Sequence, residues 1–248
     1  AAEGVEQPTP APRAALPTAK NTPELASTDP QQDTVVDGLL QLMGQAKKDL
    51  LIVSPYFVPG PDMKQAFAAA RARGVRVRVL TNSLASNDAP IAHAGYARHR
   101  PELLATGLEL YEMRSELSGL RSVFQGTGSS GVTGSSGDSK AMLHSKLLIL
   151  DVRLLVIGSM NLDLRSQLQN TEIALLIRSR SLSARATDQI EAALEDAAWR
   201  VEQDSEGRLV WRAPKDSGLK DATAEPDTSA PLRWLVRILG WFAPDHLL

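Results

Sequence analysis

A chain of 248 residues with 43% hydrophobic residues is large enough to bury a full α/β core. Lys plus Arg number 27 against 29 Asp plus Glu, a net charge of -2. The basic surplus of proteins that hold long nucleic acids is therefore missing, which weighs against a nuclease, and no nucleic-acid partner is expected. The absence of cysteine excludes disulfides and thiolate metal sites, and no apolar run is long enough for a transmembrane helix.

In chain order, residues 1–30 hold Pro8, Pro10, Pro12, Pro17, Pro23 and Pro30 among Ala, Thr and Glu, and read as a disordered linker. The chain begins Ala-Ala-Glu and its first methionine is Met43, so it reads as a processed product or a piece of something longer. From Asp33, a candidate N-cap, Val35, Val36, Leu39, Leu40 and Met43 recur at helical spacing. A buried strand is expected over 50–57, a helix over 61–73 with Pro61 in its first turn, and a strand over 75–81. A helix near 91–106, ended by Gly107, precedes a strand over 108–113. This alternation predicts a mixed, largely parallel sheet flanked by helices on both faces.

The Gly/Ser/Thr tract over 126–137 reads as a variable surface loop, with a lid beside a site as the other reading. Strands follow over 143–150, 154–157 and 172–177, then a helix over 182–200 with Ile190, Ala193, Leu194, Ala197 and Ala198 on one face. Residues 203–230 form a polar, loop-like region apart from 209–211. The last segment, 231–248, is amphipathic. As a helix it sets Arg233 and Arg237 one turn apart beside Gly240, with Trp234, Leu235, Ile238, Leu239, Trp241 and Phe242 around the rest. It suits either a helix lying at a lipid headgroup boundary or an apolar clasp packed on protein.

The chemistry concentrates in L-H-S-K-L-L-I-L-D, which holds His144, Lys146 and Asp151, and in G-S-M-N, which holds Gly158, Ser159 and Asn161. In a strand, His144 and Lys146 share a face. A tight turn near Val152 sets Ser145 opposite Ser159 and lands Gly-Ser-Met-Asn beside His-Ser-Lys. Such a cluster suits a phosphoryl group. Lys146 supplies charge, Ser159 and Asn161 donate hydrogen bonds, Gly158 lets a ligand approach the backbone, and His144 attacks or transfers a proton. The plainer alternative is a half-buried structural histidine.

The spacing H-x-K-x4-D followed by G-S-x-N resembles the signature of the phospholipase D superfamily. N-L-D-L-R-S (161–166) and N-T-E (170–172) continue the likeness past the second motif. Upstream, S-P-Y-F-V-P (54–59), R-G-V-R-V-R-V-L-T-N-S-L (73–84) and H-A-G-Y-A-R-H-R (93–100) resemble bacterial cardiolipin synthases, particularly of the C type. The resemblance runs from about residue 27 to the C-terminus, weakest over 126–140. It implies a phospholipase D-like domain over 31–202 and two H-K-D motifs facing one phosphate. One histidine then forms a phosphohistidine while the other protonates the leaving group, with no metal or cofactor.

Only one such motif is present, since His93 in A-H-A-G-Y has no lysine two residues on. In-line displacement needs groups on both sides of phosphorus, so a second half is required, either in the same polypeptide or from a homodimer. As the C-terminal half of a two-motif enzyme, the chain would use His144 as the general acid/base. The resemblance gives Glu172 the task of orienting a catalytic imidazole, and Asp151 that of holding the turn or a nearby charge within the catalytic set. Tyr56, Asn82, His93 and Tyr96 would line the headgroup path. The expected activity is phosphatidyl transfer making cardiolipin at a bacterial inner membrane, with phospholipids and the membrane surface as partners. A hydrolytic phospholipase D, a homodimeric single-motif nuclease and an inactive fragment remain as alternatives.

Overall fold

Strands whose residues are apolar on both faces need helices on both sides, and the central strands here are of that kind. The computed structural model describes residues 35–115, 142–163 and 173–242. The expected linker over 1–30, the Asp33 cap, the Gly/Ser tract over 126–137, Glu172 and the last six residues lie outside them.

Helix α1 (Val35–Gly44) leads into β1 (Asp49–Val53) and the short β2 (Phe57–Val58), then α2 (Pro61–Ala72), β3 (Arg76–Asn82), α3 (Pro90–Ala105) and β4 (Glu109–Met113). Next come β5 (Leu147–Leu150), β6 (Leu154–Gly158), β7 (Leu162–Asp163), β8 (Ala174–Ile177), α4 (Arg180–Asp196), β9 (Ala198–Gln203), β10 (Leu209–Arg212) and α5 (Ala230–Phe242). Eight strands form one sheet in the order β10-β9-β4-β3-β1-β5-β6-β8, while β2 and β7 pair separately. The sheet is mixed and covered on both faces, as expected. Its parallel part is narrower than the sequence rhythm implied. Only β1–β3 and β3–β4 are parallel, and the other five pairings are antiparallel.

Period-2 alternation sorts the core into two layers. Leu50 and Ile52 of β1 pack with Met43, Met63, Phe67 and Tyr96 under α1, α2 and α3. Leu51 and Val53 pack with Ile190 and Leu194 under α4. The helix expected over 182–200 stops at Asp196. Trp199 and Val201 alternate inward as a strand, and β9 pairs with β4 from Ala198 to Val201. With β10 alongside it, the sheet extends past residue 202.

Because β5 runs antiparallel to β1, its first residues lie at the C-terminal ends of the parallel strands. In open α/β sheets that is the end where ligands bind.

Candidate active site

The hairpin between β5 and β6 sets the register of the site. Its turn needs two residues with positive φ, taken by Asp151 (φ 49) and Val152 (φ 53), and Arg153 N donates to Leu150 O at 3.0 Å. Leu147 pairs with Ile157. Continued one step, the ladder sets Lys146 against Gly158, whose N–H donates to Lys146 O at 3.1 Å. One step further places Ser145 opposite Ser159, the alignment expected from the spacing.

The strand itself begins at Leu147 and not at 143. Ahead of it the chain is held by a side chain in place of a neighbouring strand. Asn82 Nδ2 donates to Leu143 O at 3.1 Å, and Leu143 N donates to Asn82 Oδ1 at 2.9 Å. One residue later His144 stands exposed, and Lys146 is half-buried with its ammonium donating to His144 O at 3.2 Å. Lys146 also lines a cavity of about 30 Å³ with Leu39, Leu148, Val156, Gly158 and Met160.

Gly158 has a packing role. A Cβ there would lie 2.8 Å from Ile173 O, so the missing side chain lets β8 close on β6. Ser159 continues the same contact: its N–H donates to Ile173 O at 3.0 Å, and its Oγ accepts from Ile173 N at 3.1 Å. Asn161 is half-buried, and its Oδ1 is buried without a hydrogen-bond partner among the described residues. Such an orphan is costly unless something fills it.

Asp151 is removed from the cluster. Five residue steps separate it from Lys146, roughly 17 Å at strand rise. Its carboxylate accepts from the backbone N–H groups of Lys47 (3.1 Å), Lys48 (2.7 Å) and Asp49 (3.1 Å). Burial alone would raise its pKa, but these three donors outweigh burial and hold it below the ordinary value. It therefore ties the hairpin turn to the loop before β1, and its place in the catalytic set is withdrawn.

Asn82, His93 and Tyr96, expected along a headgroup path, are buried scaffold instead. His93 and Tyr96 are buried: His93 Nε2 lies 2.8 Å from Arg100 Nη2, and Arg100 stacks 4.7 Å from the centre of the Tyr96 ring. Arg100 is itself gripped by Glu112 and Glu225. Tyr56 Oη donates to Asp88 Oδ1 at 2.6 Å. Sequence reasoning missed Ser54, whose Oγ accepts from Leu162 N at 3.1 Å and donates to Tyr56 O at 2.6 Å. That bond and the β2–β7 pairing seat the segment after G-S-M-N on S-P-Y-F-V-P. Polar residues closing two apolar strands, Ser54 just after β1 and Asn82 as the last residue of β3, were the available signal.

Beside the cluster, the edge of the sheet is apolar and open. Ile173 is 76% exposed, Leu175 59%, Leu176 50% and Ile157 43%. No helix among the described residues is long and apolar enough to cross a membrane.

A family model described as cardiolipin synthase, phospholipase D-like domain, matches residues 39–194. Cardiolipin synthase C of Escherichia coli K12 is 37% identical over 214 residues, covering 85% of this chain and 43% of that protein. An uncharacterised Helicobacter pylori protein is 32% identical over 76% of this chain and 35% of its own length. The chain thus spans less than half the length of these relatives. Among solved structures, the phospholipase D family member Nuc from Salmonella typhimurium superposes with a TM-score of 0.48 at 18% identity, over 69% of this chain and 93% of Nuc.

Proposed function

Because the chain belongs to the cardiolipin synthase, phospholipase D-like domain family, we propose that it carries one half of a phosphatidyltransferase site built on His144 and Lys146. The observation that carries this reading is the hairpin register, which sets His-Ser-Lys against Gly-Ser with a half-buried lysine beside an exposed histidine. Lys146 neutralises a phosphate oxygen, and Ser159 and the Asn161 amide donate to the same group.

The reaction runs as two displacements at phosphorus. An imidazole nitrogen of one H-K-D half attacks the phosphodiester, and the P–O bond to the leaving alcohol breaks as the other half's imidazolium gives that oxygen a proton. The neutral imidazole then removes a proton from the acceptor hydroxyl, which displaces the phosphohistidine nitrogen. His144 takes the acid/base part, and Glu172 orients the imidazole. With a second phosphatidylglycerol as acceptor the product is cardiolipin, and the leaving group is glycerol. The reading sets this chemistry at a bacterial inner membrane, the protein bound peripherally.

One folded copy offers one His-Lys pair, so the second must come from elsewhere. The open apolar edge of Ile157, Ile173, Leu175 and Leu176 beside Gly158 is a surface that a second half would cover. Lipid products formed from phosphatidylglycerol and phosphatidylethanolamine by the assembled enzyme, with both halves present, test the assignment. Cardiolipin is expected, whereas phosphatidic acid alone would make the protein a hydrolase, and cleavage of DNA without lipid turnover would make it a nuclease.

A further inference from the structure

Helix α5 docks by one side only. Val236 is buried with Leu84 and Ala94, and Leu232 and Leu239 pack around them. Trp234 remains 68% exposed and Leu235 46%. At 100° per residue, Arg233, Arg237 and Gly240 fall on the stripe between the buried side and Trp234. That stripe faces a cleft of about 740 Å³ between α3, β10 and α5.

The charge of this cleft is opposite to that of the chain. Its lining holds five arginines, Arg98, Arg100, Arg208, Arg233 and Arg237, and one carboxylate, Glu225, in a protein of net charge -2. Glu225 is committed to Arg100, and Arg208 to Asp204 and Glu206. Arg98 donates to Gly240 O at 3.0 Å and fixes the end of α5 over the cleft. Arg233 donates to Thr228 O, and neither Arg233 nor Arg237 meets a carboxylate among the described residues.

We propose that this cleft docks the protein on an anionic bilayer, with a phosphodiester headgroup held between Arg233 and Arg237 while Trp234 and Leu235 enter the interface. Guanidinium groups recognise phosphate oxygens, and an adjacent tryptophan and leucine match the step from headgroup to acyl chain. The site is separate from the His144 cluster. Its lining shares no residue with the cavity that Lys146 lines. From the proposed function it takes only that the protein works at a membrane.

The test is co-sedimentation of the 248-residue chain with vesicles of equal phosphatidylglycerol and phosphatidylcholine, and with vesicles of phosphatidylcholine alone. Binding to the anionic vesicles is expected, weakened roughly tenfold by Arg237→Glu and by Trp234→Ser with the melting temperature unchanged. Arg185→Glu, an equal charge change on exposed α4, should leave binding intact, as should His144→Ala, which separates docking from turnover. Equal binding to both vesicles, an Arg237→Glu variant that binds normally, or an equal loss in Arg185→Glu would overturn the proposal. Displacement by millimolar inorganic phosphate or by an oligonucleotide would also overturn it, assigning the cleft to a soluble anion or a nucleic acid.

Discussion

The side-chain amide of Asn82 grips Leu143 at both backbone groups, donating to its carbonyl at 3.1 Å and accepting from its N–H at 2.9 Å. Leu143 is the residue before His144. A buried asparagine at the end of a central strand therefore acts as a substitute ladder, and the imidazole emerges from a fixed point on the backbone.

Asn82→Ala should accordingly lower stability by on the order of 3 kcal/mol, because buried backbone groups of Leu143 and Pro55 lose their partner. Asn82→Asp should be no better, since a carboxylate cannot donate to the two carbonyls. Chemical denaturation reads both, and phospholipid turnover should fall even below the melting point. Wild-type stability in either variant would show that the clamp contributes nothing.

His144→Ala should leave stability within about 0.5 kcal/mol, since the side chain is exposed. Turnover in the assembled enzyme should fall by roughly 10^2-fold or more with the loss of its proton transfer. Lys146→Met should be similarly damaging, and Lys146→Arg should not rescue it, because the planar guanidinium fork has a different shape from the ammonium. Normal turnover in the arginine variant would reduce Lys146 to a distant charge.

Gly158→Ala should destabilise the β6–β8 edge by about 1–3 kcal/mol, as its Cβ would lie 2.8 Å from Ile173 O. Hydrogen exchange at the Ile173 amide, which donates to Ser159 Oγ, should rise in step. Unchanged melting and exchange would mean that the strand edge shifts freely.

The buried charges under α3 predict an acid limb. Burial opposes ionisation of Glu225, but the Arg100 charge and the His93 contact outweigh it and lower its pKa from 4.5 to about 2. A depressed folded pKa gives stability that is whole above about 4.5 and lost as pH falls toward 2. Glu225→Gln should cost on the order of 3 kcal/mol at neutral pH, with the difference from wild type vanishing near pH 2. Parallel melting curves across that range would contradict the assignment. Glu112, raised by burial, acts with the opposite sign.

Much of this was legible in the chain. The turn at Asp151–Val152 and the register that follows from it came from counting residues between two apolar runs, because strand pairing admits no half-step. What local pattern cannot carry is a partner far along the chain. The start of β5 depended on Asn82, sixty-one positions away, and the end of α4 on β4 claiming Trp199 and Val201. His93 and Tyr96 looked like polar pocket residues until Arg100, Glu112 and Glu225 closed around them. The membrane and clasp readings of α5 were posed as rivals, yet Val236 is buried while Trp234 is exposed on the same helix.

The central claim is that one copy holds half of a catalytic site. Cardiolipin formation from phosphatidylglycerol, measured across a dilution series with the mass of the species determined at each point, tests it most directly. The account predicts that the monomer makes no cardiolipin, and that any turnover belongs to an associated species and disappears with His144→Ala. A monomer that makes cardiolipin at a specific activity independent of dilution would contradict it.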